Sequence, residues 1–172
     1  MSLNLKKYGI DLIDKWNKFI EINEDNSWIL YGFEGQTFTL IHWGSGNNGI
    51  EELSEELSDS SMMYGAVCLR DPSSLSHKII FIIWQGQSVP GYIRHKVKTF
   101  DEDIKKFFKG YNCDITARSY SDLSNGLVEH KPISENKSEI KVESREMNSN
   151  KNIESCQEKQ TSKDIHIQTQ PV

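Results

Sequence analysis

Apolar positions change spacing several times along the chain, and each change predicts an element. Between residues 5 and 20, Leu5, Leu12, Ile13, Trp16, Phe19 and Ile20 recur at helical spacing with Lys6, Lys7, Asp11, Asp14 and Lys15 between them. That pattern predicts an amphipathic helix, weakened by Gly9 near its start. Residues 28–33 and 36–43 are strand-like, and Glu34-Gly35 between them is a tight-turn signal, so a β-hairpin is expected. A glycine-rich connector, 44–49, leads into a helix whose apolar face is Ile50, Leu53 and Leu57 and whose early glutamates suit the positive end of a helix.

Two further strands are expected at 62–70 and 78–84, joined by the turn Asp71-Pro72-Ser73-Ser74. Ile79-Ile80-Phe81-Ile82-Ile83 is apolar at every position, as in a central strand covered on both faces. From 98 to 109, Phe100, Ile104, Phe107 and Phe108 share one helical face, and Gly110 is a helix stop. Residues 113–117 read as a final strand, and Ser121-Asp122-Leu123 as the start of a short helical turn. Together these elements define an α/β domain, a mixed sheet of about five strands with helices on both faces.

Composition sets the extent of that domain. All 17 aromatic residues lie at or before Tyr120. Residues 125–172 hold 7 basic and 8 acidic side chains among Ser, Asn and Gln, with only scattered aliphatics. A segment of this kind buries too little apolar surface to offset its ordering entropy, so the expected division is a domain at 1–124 and a disordered tail at 125–172. With 13 basic and 17 acidic residues, the domain carries a net charge of −4, which argues against nucleic-acid binding by bulk charge. Cys68, Cys113 and Cys156 are odd in number and widely spaced. They fit neither a metal site nor a disulfide framework, and reduced thiols are expected. The first residues carry charges where a signal peptide needs an apolar core, and no run is long enough to span a membrane, so a cytoplasmic chain is expected.

Candidate chemistry changes this picture little. The loop Gly44-Ser45-Gly46-Asn47-Asn48-Gly49 lacks the endings of phosphate-binding motifs, and the carboxylates after it would repel phosphate. Glu51, Glu52, Glu55 and Glu56 fall opposite an apolar helix face, where a solvated surface explains them. His42, His77, His130 and His166 do not cluster in sequence. No nucleophile elbow, P-loop or HExxH is present, so neither an enzyme nor a cofactor is implied.

The segments MSLNL, SWILYGFEG, GIEELSEEL, MMYGAVCLRDP, KIIFIIWQGQSVP and FFKGYNCDITARSYSDL, in this order, span nearly all of residues 1–124. Their sequence resembles the actin-depolymerising-factor homology domain of the drebrin and actin-binding-protein-1 type, with coactosin close to it. The resemblance implies a five- or six-stranded mixed sheet between helices, and non-enzymatic binding by a monomer to the side of actin filaments without severing. It places the main actin-facing edge in the loop and helix after Trp84. Arg94 matches a basic contact position, with Tyr92 and His95 beside it. Lys96 and Lys98 continue the basic run into the helix start, and Lys105 lies farther along. Ser2 and Leu3 match an N-terminal contact segment. Lys78 and the preceding turn match a second contact region used only on filaments. Asp101, Glu102 and Asp103 depart from the family pattern, either favouring a helix N-terminus or weakening attraction to acidic actin. Other outcomes of the same fold are binding to the actin-branching complex or to phosphoinositides.

Overall fold

The computed structural model describes residues 2–130. Residues 131–172, most of the segment expected to be a tail, lie outside the described residues. Five helices and five strands follow one another: α1 Gly9–Ile22, β1 Trp28–Phe33, β2 Leu40–Gly46, α2 Gly49–Glu56, β3 Met62–Asp71, β4 Ser76–Gln85, α3 Gly91–Lys98, α4 Asp101–Phe107, β5 Cys113–Ala117 and α5 Tyr120–Glu129. The strands form one sheet in the order β2-β1-β3-β4-β5. Every pairing is antiparallel except β4 with β5, so the sheet is mixed, as the sequence leads one to expect. Among the described residues, no helix is long and apolar enough to cross a membrane.

The alternation of β4 shows why the sheet needs two covers. Ile79, Phe81 and Ile83 point into one core with Leu12, Trp16 and Phe19 of α1, and with Val97, Phe100, Ile104 and Phe108 from the α3–α4 region. Ile80, Ile82 and Trp84 point into the other, beneath Leu53 of α2 and Leu123 and Leu127 of α5. A strand buried on both faces has to be apolar at successive positions. Trp84 is fully buried, and its indole N–H donates to the Ser58 carbonyl at 2.8 Å.

Four boundaries differ from the sequence reading, each for a local reason. The turn expected at Glu34-Gly35 is present, Thr37 N donating to Glu34 O at 3.0 Å, but β2 begins only at Leu40, so the β1–β2 connection runs from residue 34 to 39. Asn4 takes the edge position beside it, its N–H donating to Phe38 O and its carbonyl accepting from Leu40 N. Gly44-Ser45-Gly46 belongs to β2 and not to a connector. A Cβ at Gly46 would collide with the Glu52 carboxylate, which accepts from the Trp28 indole N–H at 2.7 Å. The glycine-rich stretch thus lies against a carboxylate, which is no place for a phosphate.

The helix expected over 98–109 is shorter, α4 running Asp101–Phe107, and a separate helix, α3, ends just before it at Lys98. At the joint, Thr99 N and Phe100 N donate to Lys96 O and Val97 O, three residues back, and the Thr99 hydroxyl also donates to Lys96 O at 2.7 Å. These i→i+3 bonds tighten the turn and a back-bonding threonine bends it, so α4 starts on a new axis. At the end of the fold, α5 continues to Glu129 and buries Leu127. Residues 125–129, assigned to the tail from composition, are helical.

Candidate functional site

The edge that follows β4 is built outward from Arg94. Pro90, with φ −57° and ψ 143°, precedes the first helical residue, and its carbonyl accepts from Ile93 N and Arg94 N at 3.0 Å. The segment expected to be a basic loop is thus already helix α3. Val97 is fully buried and fixes the inner face. Tyr92, His95, Lys96 and Lys98 are exposed. Tyr92, His95 and Lys96 stand at i, i+3 and i+4, one stripe of the helix surface. The basic residues crowd the last turn, the negative end of the helix dipole.

Arg94 does something different from its neighbours. Its Nη2 donates to the carbonyls of Gly86, Gln87 and Val89 at 3.3, 3.4 and 2.8 Å. Its Nε is buried without a partner. The guanidinium straps the 86–90 turn to α3, so Arg94 holds the edge in place more than it presents charge. Gly86 supports the same turn, because a Cβ there would run into the backbone of Asp59.

Asp101, Glu102 and Asp103 form the first turn of α4, where the helix dipole favours them. Asp101 also bonds across to the sheet, where its Oδ1 accepts from the Tyr64 hydroxyl at 2.8 Å. Burial pushes the Asp101 carboxyl above its ordinary value, against the opposing pull of the Tyr64 hydrogen bond and Lys105. Lys96 lies over the Phe100 ring, 5.4 Å from its centroid.

The remaining expected residues are placed unevenly. Ser2 is exposed and Leu3 packs on the first core. The next residue, Asn4, bonds to the Phe38 backbone, and the Phe38 ring stands 5.3 Å from Phe100, the residue that opens α4, in an edge-on contact. Lys105 is committed within the molecule, to Asp114 at 3.0 Å and Glu102 at 3.7 Å. Lys78 lies near the start of β4, seven residues before Gln85 and so roughly 23 Å along the strand from its far end at ~3.3 Å per residue. Its Nζ donates to His130 O at 3.4 Å.

A groove on this edge is not legible in the sequence, although Tyr92 and Lys96 of the expected residues line it. It holds about 830 Å³ and runs between the 34–39 loop, the start of β3 and the first turns of α3. Trp43 and Tyr92 both line it. The sequence signal for Trp43, an aromatic before a glycine at a strand end, is too common to single it out.

A five-stranded mixed sheet with α1, α3 and α4 on one face and α2 and α5 on the other is the architecture of the cofilin class. Residues 7–131 match the family model of the cofilin/tropomyosin-type actin-binding protein, and the chain belongs to that family. It is 31% identical over 123 residues to drebrin-like protein B of Xenopus laevis, covering 72% of this chain and 33% of that protein. It is 24% identical over 122 residues to coactosin of Entamoeba histolytica, covering 67% of this chain and 82% of that one. The chain thus spans about a third of the Xenopus drebrin-like relative it matches. Among solved structures, the cofilin homology domain of the yeast actin-binding protein ABP1P superposes with a TM-score of 0.64 at 21% identity, over 73% of this chain and 95% of that domain.

Proposed function

We propose that this domain binds the side of actin filaments through the exposed face of α3, and that it neither severs filaments nor sequesters monomers. The observation that carries the proposal is the exposed set Tyr92, His95, Lys96 and Lys98 on a helix whose position is set by the Arg94 strap and buried Val97. Basic side chains on a rigid element can steer and orient docking to an acidic surface. Family membership supports actin as the partner. So does the likeness to mouse coactosin, an actin filament binding protein, with a TM-score of 0.57 at 16% identity over 72% of this chain and 86% of that one. Ser2 and Leu3 are retained in this reading as an N-terminal contact and Lys78, on β4, as a second one. On this reading the protein works in the cytoskeleton as a monomer.

Sedimentation with filaments tests the proposal. The double change Lys96→Glu and Lys98→Glu reverses two charges without touching the strap. Close interfacial charge pairs couple by about 1.5 kcal/mol or more, so filament affinity should fall about tenfold or further. Wild-type binding should also weaken as salt rises. Unchanged affinity in a folded double variant overturns the assignment of this face. Filaments that shorten under the microscope overturn the non-severing reading. Binding to anionic vesicles but not to filaments would replace actin with phosphoinositides.

A further inference from the structure

We propose that the groove beside α3 is a docking site for an extended, proline-rich segment of a partner protein that carries an acidic residue. Its walls are aromatic and in part unusually open. Trp43 is 47% exposed and Tyr92 is 75% exposed, while Phe33, Phe38 and Pro90 lie between or beside them.

The backbone aims Trp43 there. In the β1–β2 ladder, Leu30 pairs with Gly44 and Tyr31 with His42, so Trp43 is the extra residue of a β-bulge. Bulges of this kind re-aim a side chain and are common beside functional sites. The redirected indole settles over Gly32, where a Cβ would stand 3.0 Å from Trp43 Cε3 and 3.6 Å from Met63 Cε. Glycine at position 32 therefore lets the ring sit close to the sheet with part of its surface facing the groove.

The lining chooses among occupants. Polyproline segments dock in aromatic-lined grooves. The apolar lining most open to solvent here is aromatic, Trp43 and Tyr92, whereas Met62, Met63, Val89 and Val97 are buried and offer a helix little apolar surface. A polyproline II chain makes no internal hydrogen bonds and leaves its carbonyls free. Gln36, Ser60 and Ser61 line the groove with side-chain donors suited to those carbonyls, whereas the Thr37 hydroxyl already donates to Glu34 O at 2.7 Å. Lys96 is the one charged side chain among the lining residues. The nearby Glu34 is already held by Lys7 at 2.8 Å and the Tyr8 hydroxyl at 2.7 Å. Charge complementarity thus calls for an acidic ligand residue at the α3 lip. The preformed polyproline conformation also limits the ordering cost of binding.

The groove shares Tyr92 and Lys96 with the proposed filament-binding face, and a peptide titration without actin present tests it independently of that reading. Trp16, Trp28 and Trp84 are buried at 1%, 4% and 0% exposure, so a change in tryptophan emission on binding reports Trp43. The full chain is titrated with a synthetic peptide of two Pro-Pro-Glu-Pro-Pro units. The same peptide with lysine for glutamate and a helix-forming alanine–glutamate peptide of equal charge serve as comparisons. The expected result is a saturable emission change with the acidic proline peptide and at least tenfold weaker binding of the other two. Tyr92→Ala should weaken it about tenfold, and Lys96→Glu should reverse the preference between the glutamate and lysine peptides. Because Tyr92 is mostly exposed, its replacement leaves the fold intact, and amide chemical shifts check that. No emission change at millimolar peptide, equal binding of the lysine version, preference for the helical peptide, or Tyr92→Ala binding as wild type would each overturn the proposal.

Discussion

Arg94, Asp101 and Glu52 are charged residues whose partners lie within their own molecule. Arg94 is the basic residue that resemblance would rank first as a contact, yet three backbone carbonyls already occupy its Nη2. Arg94→Ala should therefore lower the unfolding midpoint, since it removes charge-assisted hydrogen bonds to the part-buried carbonyls of Gly86 and Val89, at about 1–3 kcal/mol. A denaturant titration that finds no loss would remove the strap. Asp101 separates charge from hydrogen bonding. Its carboxyl is raised above the unfolded value of 3.8, so its protonated form is favoured on folding, and that contribution is present at low pH and lost as pH rises through the folded value. Asp101→Asn keeps an acceptor for Tyr64 and removes the buried charge, so at neutral pH it should be neutral or stabilising. Asp101→Ala strands the Tyr64 hydroxyl and should cost about 1–3 kcal/mol. Thermal melts of the two variants side by side distinguish them.

At the scale of elements, α3 and α4 divide the labour between contact and anchorage. The exposed residues of α3 face solvent, while Ile104 of α4 is fully buried against the sheet. Ile104→Ala should cost about 2–5 kcal/mol of stability, read by chemical denaturation. Lys98→Glu should cost no more than about 1 kcal/mol, because Lys98 is exposed and loses only its favourable place at the negative end of the α3 dipole. A large loss with Lys98→Glu would mean that the charge of α3 is structural. The break between the helices also matters for geometry. A continuous helix over 98–109 would have begun where α3 ends, leaving the basic residues on a loop with no fixed orientation.

For the whole molecule, the boundary of the fold is the quantity most open to measurement. Leu127 is buried in the second core, and burying a leucine contributes about 1.5–3 kcal/mol. A chain ending at residue 124 should therefore melt clearly below one ending at 130. Equal melting temperatures would show that the second half of α5 adds nothing. Acid should also weaken the fold through Glu52 and Glu34. The Trp28 indole N–H and the Asn48 amide groups hold the Glu52 carboxyl below its usual 4.5. Lys7 and the Tyr8 hydroxyl do the same for Glu34. Depressed carboxylates contribute stability above the unfolded value that is lost as pH falls through the folded one, so this loss belongs below pH 4.5. In Glu52→Gln that acid-dependent part should shrink, as melts between about pH 5 and 3 would show.

The sequence alone determined most of what depends on periodicity. The unbroken apolar run at 79–83 identifies β4 as central, because both sheet faces are covered and each successive side chain needs an apolar neighbour. The helical spacings of Leu12, Trp16 and Phe19, and of Ile104 with Phe108, likewise mark faces that are buried in the fold. Ordered motifs along the chain carried the family. Where polar groups found partners, only tertiary structure decided. Asp101 meets Tyr64 from 37 positions away, and Trp28 meets Glu52 from 24. Residue type does not encode such meetings, since a charged side chain looks the same in sequence whether it faces water or a carbonyl. The bulge at Trp43 is equally hidden, because it arises from the register between β1 and β2 and not from either strand. Hydrophobic pattern specifies which face is buried, but the assembled sheet sets which exposed residues stand together.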